Sequence, residues 1–287
     1  MRFLTFKSKG EEGIGILDSA GAVRGFLASD QRFPGNLDKL IGTSDDALHA
    51  AGALLQSGKA FDQEKIDVLP PLSAAAKIIC IGLNYAAHTQ EGGFAPQTYP
   101  AVFTRFNSSL IGHRAPLLRP RVSDKLDYEG ELVAVIGRGG RHIAKDAALS
   151  HVIGYSVFND GSIRDYQMKT AQWTVGKNFD GTGAFGPYLV TADELPSGAA
   201  GLRLQTRLNG QTVQDANTSD LIFDVATLVS TLSEAFTLQR GDIIVTGTPS
   251  GVGFARKPPL YMKAGDVCEI EIEGVGTLVN PVVDESA

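Results

Sequence analysis

Two glutamates, Glu129 and Glu131, stand one residue apart directly before the apolar run of residues 132–136. In a β-strand, residues i and i+2 point to the same face, so both carboxylates would project together. Their closeness would raise the pKa of each carboxyl unless a cation lies between them. Carboxylate oxygens suit magnesium, manganese or calcium, so the pair indicates a metal site. The alternative is an edge strand with a solvated face that carries two glutamates.

A third carboxylate, Asp160, ends the predicted strand over residues 152–159 and is followed by Gly161. An aspartate before glycine is typical of a turn, although side chains at strand ends are also common in functional sites. With Glu129 and Glu131 it would complete a set of three carboxylates. Such a set leaves about three positions of an octahedral magnesium free for water or for a bidentate 2-oxo acid.

Lys177 follows Asp160 by about one helix and one turn. Near a metal, its ammonium group could hold an anionic intermediate or polarise a carbonyl. A solvated surface lysine and a Schiff-base lysine are the alternatives, and a metal would make the Schiff base redundant because it already supplies the electrophile.

His88 and Glu91 form a second candidate pair. If a short helix begins at Tyr85, the i,i+3 spacing places both side chains on one face. The carboxylate would orient the imidazole, which could then take a proton from water or substrate. Gly92-Gly93 follows and suits a lid that closes over a site. A surface histidine beside a surface glutamate is the alternative.

The composition is that of an ordinary globular protein, with 287 residues, 43% hydrophobic and 20% charged. The net charge of −6, without a basic run, argues against nucleic acid as the main partner. The start of the chain lacks the apolar core of a signal peptide, and no uncharged stretch approaches a membrane span. A cytoplasmic protein without membrane contact is therefore expected. Cys80 and Cys268 lie in apolar, strand-like surroundings and are predicted to be buried free thiols.

The pattern along the chain predicts a small N-terminal domain over residues 1–70 and a larger domain over residues 71–287. Pro70-Pro71 marks the boundary, because consecutive prolines stop both helices and strand ladders. Hydrophobic periodicity predicts strands over 2–6, 13–18, 22–26, 77–82, 132–137, 152–159, 202–208, 242–246 and 267–272, and helices over 44–56, 162–170 and 224–235. The glycine-rich residues 245–253 lack the lysine of a phosphate-binding loop and are predicted to approach a small ligand with their backbone.

Six short motifs follow one another between residues 70 and 283. They are Gly82-Leu83-Asn84-Tyr85 with His88 and Glu91, Asp127-Tyr128-Glu129-Gly130-Glu131-Leu132, Asn159-Asp160, Arg164-Asp165-Tyr166-Gln167, Trp173 with Gly176-Lys177, and Thr246-Gly247-Thr248-Pro249-Ser250-Gly251-Val252-Gly253. In this order they resemble the fumarylacetoacetate hydrolase family, in particular its acylpyruvase-like and bacterial catabolic branch.

The resemblance implies an α+β fold, with a mixed β-roll catalytic domain after a small N-terminal domain, and usually a homodimer. It implies that Glu129, Glu131 and Asp160 bind Mg²⁺ or Mn²⁺, that Lys177 contacts the substrate, and that His88 with Glu91 activates water. Positions that hold the substrate's carboxylate and oxo groups correspond to Arg164, Gln167 and Thr248, with Arg105 and Tyr85 as further candidates.

The functional hypothesis at this stage is metal-dependent hydrolysis of a carbon–carbon bond in a β-diketo acid, such as an acylpyruvate or fumarylpyruvate from aromatic catabolism. His88 and Glu91 would generate the attacking hydroxide, and an enolate would leave. The alternative is decarboxylation of oxaloacetate, or isomerisation or decarboxylation of a related 2-oxo dioic acid. A non-catalytic scaffold is the third class, and the His88–Glu91 pair argues against it, because a pure binder has no need of a proton-transfer dyad.

Overall fold

The computed structural model of the chain describes residues 1–95 and 97–286. The strands are β1 (Arg2–Ser8), β2 (Glu11–Leu17), β3 (Val23–Leu27), β4 (Lys59–Phe61), β5 (Asp67–Leu69), β6 (Ile78–Gly82), β7 (Ala101–Arg105), β8 (Leu110–Ile111), β9 (Leu117–Arg119), β10 (Leu126–Asp127), β11 (Gly130–Ile136), β12 (Val152–Asp160), β13 (Ser162–Ile163), β14 (Gly183–Thr191), β15 (Arg203–Leu208), β16 (Gln211–Asn217), β17 (Ile243–Val245), β18 (Val267–Ile272) and β19 (Gly276–Asp284). The α-helices are α1 (Leu37–Thr43), α2 (Asp45–Leu55), α3 (Ala86–Glu91), α4 (Arg164–Gln167), α5 (Thr174–Lys177) and α6 (Val225–Ala235). Within the described part of the chain, no helix is both long enough and apolar enough to cross a lipid bilayer.

The largest sheet has the strand order β4-β3-β2-β1-β14-β12-β11-β17-β6-β7, with β5 beside β1 and β8 beside β14. Strand β11 lies between β12 and β17, and every residue of β11 and β12 is buried. Both faces of these strands are therefore covered, which explains their nearly continuous apolar sequence. Glu131 lies on an interior strand, so the alternative of a solvated edge strand is excluded.

A second sheet, with the order β16-β15-β18-β19-β9, packs against β11 and β12. Leu132 of the large sheet shares one hydrophobic core with Leu204 and Ile270 of the second sheet. Sheets dominate and helices are few, so the predicted α+β class with a mixed β-roll is confirmed.

The N-terminal segment extends the large sheet, since β1 pairs antiparallel with β14 through Phe3 and Leu189. Strand β5 pairs with β1 up to Leu69, immediately before the predicted boundary. Helix α2 begins after Ser44, whose hydroxyl oxygen accepts a hydrogen bond from the backbone N–H of Ala47 at 3.0 Å. The assignment of residues 1–70 as a domain of their own stays a prediction.

The predicted helix over residues 162–170 is wrong in its extent. Residues 162–163 form β13 instead, because Ile163 pairs with Leu126 of β10. Only Arg164–Gln167 is helical, and this short helix carries two side chains into the site described below. The helix predicted over residues 224–235 is confirmed as α6, which Asp224 caps by accepting a hydrogen bond from the N–H of Thr227 at 2.7 Å.

Candidate metal centre and active site

Three carboxylates converge where β11 begins and β12 ends. The two strands are antiparallel, and Gly130 lies opposite Asn159, so Glu129, Glu131 and Asp160 come together. One oxygen of each carboxyl lies within 4.8 Å of the others, and all three residues are buried. The structure thus brings together the three residues that the sequence singled out.

Lys177 lies between two of these carboxylates. Its Nζ is 2.5 Å from Oε2 of Glu129 and 2.7 Å from Oδ2 of Asp160. The side chain is 2% exposed, which excludes the alternative of a solvated lysine. Burial lowers the pKa of Lys177, but the charges of Asp160 and Glu129 outweigh burial and the net pKa is raised. The group is therefore an ammonium ion, which disfavours a Schiff base, since that reaction requires the neutral amine.

Two arginines complete the charge pairing. Nη1 of Arg105 is 2.5 Å from Oδ1 of Asp160, and Nη2 of Arg164 is 2.6 Å from Oε1 of Glu129. Burial raises the pKa of Glu129, but Arg164 and Lys177 outweigh it, and its net pKa lies well below the usual range. Glu129 and Asp160 each face two cations.

Glu131 differs from the other two carboxylates. Its hydrogen-bond partner is the backbone N–H of Gly247 at 2.5 Å, and no basic side chain of residues 1–95 and 97–286 lies within 4.0 Å of it. Burial and the charges of Asp160 and Glu129 raise its pKa well above the usual value. A buried carboxylate without a cation is unfavourable, so this position requires either a proton or a metal ion.

A charge count shows that the buried charges of the site are not fully compensated. Four buried carboxylates (Asp127, Glu129, Glu131 and Asp160) face three buried cations (Arg105, Arg164 and Lys177), which leaves one negative charge in excess. The donor set consists of carboxylate oxygens, which hard divalent cations prefer. The residues present therefore fit a divalent metal ion held by Glu129, Glu131 and Asp160.

The pair His88 and Glu91 lies on α3, as predicted, with Nδ1 of the imidazole 2.9 Å from Oε1 of the carboxylate. Because an ionised carboxylate can only accept, the hydrogen bond assigns a proton to Nδ1, so in the neutral imidazole the lone pair is on Nε2. Glu91 also accepts two hydrogen bonds, at 2.9 and 3.0 Å, from the N–H of Gly251. His88 is buried, which excludes the surface-pair alternative.

Asn84 holds the turn that leads into α3. Its side-chain N–H groups donate to the backbone oxygens of Thr246, at 2.7 Å, and Phe223, at 3.0 Å. Its Oδ1 accepts from the N–H of Phe223 at 2.8 Å. Asn84 belongs to one of the sequence motifs, but its role is not evident from the sequence because its partners are far away along the chain.

The site side chains line one cavity, whose empty space of about 380 Å³ includes the solvent at its mouth. Its polar side carries His88, Glu129, Glu131, Arg164, Gln167, Lys177 and Thr248. Its apolar side is formed by Ile81, Leu83, Phe94, Phe103, Met168, Trp173 and Phe254. A cavity with one charged wall and one apolar wall suits a small anionic ligand with a carbon skeleton.

Residues 77–283 match the family model described as the C-terminal domain of fumarylacetoacetate (FAA) hydrolase. The chain belongs to the fumarylacetoacetate hydrolase family. The match spans more than half of the chain and includes every residue of the site. The resemblance noted in the sequence is confirmed, and the protein is an enzyme of this family.

Individual relatives cover nearly the whole chain. An oxaloacetate tautomerase of Xenopus laevis, named as mitochondrial, is 38% identical over 289 residues, which cover 99% of this chain and 90% of that protein. The structure of a fumarylacetoacetate hydrolase from Exiguobacterium antarcticum is similar with a TM-score of 0.86 and 35% identity, covering 99% of this chain and 100% of that chain. The structure of 2-hydroxyhepta-2,4-diene-1,7-dioate isomerase from Mycobacterium marinum is similar with a TM-score of 0.76 and 32% identity, covering 100% of both chains.

Of the five substrate-binding candidates that the family resemblance implied, three line the cavity. Arg164 donates from Nε to Asp127 at 2.8 Å and from Nη1 to Oε1 of Gln167 at 2.9 Å. Its Nη2 forms an ion pair with Glu129 at 2.6 Å. Thr248 is the third substrate-binding candidate that lines the cavity.

The other two candidates lie behind the cavity wall. Arg105 donates to Asp160, to the hydroxyl of Thr182 at 2.8 Å and to the hydroxyl of Ser109 at 3.2 Å, so its guanidinium is occupied by protein groups. Tyr85 is buried, and its hydroxyl has no hydrogen-bond partner within the described residues. Substrate contact by Arg105 or Tyr85 stays a prediction.

Asp127 is a site residue to which the sequence analysis gave no role. Its Oδ1 accepts from the N–H of Gly253 at 2.8 Å, and its Oδ2 accepts from Arg164 and from the N–H of Phe254 at 3.0 Å. Its hydrogen bonds therefore hold both Arg164 and the glycine-rich loop of residues 245–253 in position. The available signal was its spacing, two residues before Glu129.

Proposed function

We propose that this enzyme enolises a small 2-oxo dicarboxylate, with keto–enol tautomerisation of oxaloacetate as the leading reaction. The observation that carries the proposal is the cavity at the carboxylate triad, where Glu129 and Glu131, the ammonium of Lys177 and the imidazole of His88 meet. The names of the Xenopus laevis and Mycobacterium marinum proteins, a tautomerase and an isomerase, support this class over carbon–carbon hydrolysis. The proposal therefore takes the alternative of the sequence analysis as the main reaction.

The resident metal in this proposal is Mg²⁺ or Mn²⁺, held by Glu129, Glu131 and Asp160. When bound, it would supply the positive charge that polarises the oxo group of a 2-oxo acid and stabilises the enolate. Lys177 adds a fixed positive charge on the cavity wall, where negative charge develops as the enolate forms. Arg164, which also lines the cavity, places a second positive charge where a substrate carboxylate would bind.

His88 moves the proton in this proposal. Its Nε2 takes a proton from C3 of the substrate, and the electron pair of that C–H bond becomes the C2=C3 double bond while the oxo group becomes an enolate oxygen. Return of the proton to that oxygen gives the enol, so no atom is gained or lost. Glu91 stabilises the transient imidazolium through the hydrogen bond at Nδ1.

The test follows the ultraviolet absorbance of the enol of oxaloacetate as it approaches equilibrium, with Mg²⁺ or Mn²⁺ and with EDTA. Metal-dependent acceleration over the same buffer without enzyme, with little pyruvate formed, supports the tautomerase. Pyruvate formation at the rate of the absorbance change would show decarboxylation instead, and no acceleration with either metal would contradict the proposal.

Hydrolysis of an acylpyruvate is the second candidate, favoured by the His88–Glu91 pair, which can equally activate water. Acetylpyruvate measured beside oxaloacetate separates the two. Metal-dependent loss of the diketone absorbance with formation of pyruvate and acetate would establish the hydrolase.

Replacing His88 with glutamine is expected to lower kcat/KM for tautomerisation by a factor of about 10² to 10⁴, the usual contribution of a positioned general base. The metal ligands are unaffected, so the rise in melting temperature on adding Mg²⁺ remains. Steady-state kinetics and thermal unfolding check both points, with His49→Gln on the exposed face of α2 as the matched control. Tautomerisation at the wild-type rate would remove His88 from the mechanism.

Trp173 lines the apolar side of the cavity and is the side chain that we expect to limit substrate length. A Cβ atom on Gly82 would lie 2.3 Å from Cζ3 of the indole, and the indole packs edge-on against Phe103 with ring centroids 5.6 Å apart. Trp173→Leu is expected to raise the ratio of kcat/KM for a longer acylpyruvate to that for oxaloacetate about tenfold, since pocket contacts of this size discriminate by about 10- to 200-fold. Val175→Ala, at an exposed position of α5, is the control. An equal loss on both substrates would show that the indole does not set length preference.

A further inference from the structure

A buried glutamine from the second sheet reaches the backbone between the two glutamates of the metal centre. Gln214, on β16, accepts at Oε1 from the N–H of Gly130 at 3.0 Å and from the hydroxyl of Thr206 at 2.7 Å. Its Nε2 donates to Oγ1 of Thr248 at 2.8 Å and to the backbone oxygen of Pro249 at 2.8 Å. Both lone pairs and both N–H bonds of the amide are thus used. The reversed amide would place an N–H against the N–H of Gly130, so only one orientation satisfies all four groups.

The contacts form a closed ring around Gly130. The hydroxyl of Thr248, which accepts from Gln214, donates to the backbone oxygen of Gly130 at 3.0 Å. Strand β17 pairs with β11 only over residues 133–135, so the ladder on that side ends before Gly130. The two side chains therefore replace a strand partner for the backbone N–H and C=O of this one residue.

Gly130 joins Glu129 to Glu131, so its position sets the directions of both carboxylates. The approach of the ring is close, because a Cβ atom on Gly130 would lie 2.3 Å from Oγ1 of Thr206. Within the ring, Thr248 donates its hydroxyl proton to the backbone oxygen of Gly130. Toward the cavity, Thr248 can therefore accept a hydrogen bond but has no proton left for a substrate oxygen.

We infer that Gln214 is a positioning residue of the metal centre. It acts through Gly130 and Thr248, holding the Glu129 and Glu131 carboxylates in the geometry that binds a divalent cation, and touches neither metal nor substrate. Groups that orient metal ligands in this way typically change metal affinity by about 10- to 100-fold when removed. The inference concerns metal binding alone and holds whichever 2-oxo acid the enzyme takes.

The test is calorimetric titration of Mg²⁺ into the substrate-free protein, comparing wild type with Gln214→Met, which keeps the side-chain length and removes all four hydrogen bonds. The expected result is Mg²⁺ affinity weaker by about 10- to 100-fold. Gln211→Met, at an exposed position of the same strand, is the matched control and is expected to bind like wild type. A folded Gln214→Met protein with wild-type Mg²⁺ affinity would overturn the inference.

Thr248→Val breaks the ring at its other side chain and keeps the inference testable if Gln214→Met does not fold. It is expected to weaken Mg²⁺ binding to a similar degree, and the double variant is expected to bind no more weakly than the worse single variant, because both remove one ring. Wild-type affinity in Thr248→Val, or losses that simply add in the double variant, would show that the ring does not set the carboxylates. Substrate is absent throughout, so the outcome is independent of the proposed reaction.

Discussion

Lys177→Met is expected to lower kcat strongly and to destabilise the metal-free protein. The ammonium lies 2.5 Å from Glu129 and 2.7 Å from Asp160, and its removal leaves two buried carboxylates without the cation between them. Removing one partner of a buried ion pair costs about 3–5 kcal/mol, because the remaining charge loses its compensation. Loss of a positive group that stabilises developing negative charge lowers kcat by a factor of about 10² to 10³.

Thermal unfolding in EDTA and steady-state kinetics with Mg²⁺ measure the two effects of Lys177→Met separately. Lys145→Met, at an exposed position, is the matched control and is expected to change neither quantity. A variant that keeps wild-type stability in EDTA would show that the ammonium is not the cation that compensates Glu129 and Asp160. Retained turnover would remove Lys177 from the reaction.

Glu131→Gln is expected to change stability in opposite directions without and with metal. In the metal-free protein, burial and the nearby carboxylates raise the pKa of Glu131, so folding stability falls as pH rises through that folded-state pKa. Glutamine carries no charge and can still accept a hydrogen bond from Gly247, so the folding stability of the variant does not fall with rising pH for this reason. In EDTA the variant should therefore be at least as stable as wild type at neutral pH, with an advantage that grows as the pH rises.

With Mg²⁺, wild type is expected to be more stable than Glu131→Gln. A ligand at about 100 times its Kd stabilises the folded state by about 2.7 kcal/mol, and Glu131→Gln should lose most of this gain because one of three ligands is gone. Melting temperatures across a pH series, with EDTA and with Mg²⁺, measure both parts, and Glu12→Gln on the exposed side of β2 is the control. A full Mg²⁺-induced shift in Glu131→Gln would place the metal elsewhere.

The carboxylate triad was predictable because its signals are local. Glu129 and Glu131 follow the two-residue period of a strand, and Asp160 ends the strand that pairs with theirs. The His88–Glu91 pair was predictable for the same reason, since i,i+3 spacing on a short helix decides the contact. Burial of the three carboxylates and of His88 follows from the interior position of β11 and β12 and from the packing of α3 over the cavity, which the pattern of any single segment does not contain.

What the sequence did not reveal depends on contacts between distant segments. Gln214 contacts Gly130 from the second sheet, 84 residues further along the chain. Nothing in the pattern of its own strand distinguishes it from the other polar residues there. Arg105, on β7, donates to Asp160 from a distant part of the chain, a contact that its own strand does not predict. The helix in the structure is shorter than the one predicted over residues 162–170, because the first of these residues pair with β10 as a strand. In each case tertiary pairing overrode the local pattern.

The most direct test of the central claim is exchange of the C3 hydrogens of oxaloacetate for deuterium, followed by proton NMR in D₂O. Enolisation at the carboxylate triad predicts that the enzyme with Mg²⁺ accelerates exchange well beyond Mg²⁺ in buffer alone. EDTA and the Glu131→Gln and His88→Gln variants should each remove that acceleration. Exchange no faster than in Mg²⁺ buffer, or equally fast in EDTA, would contradict metal-dependent enolisation at this site.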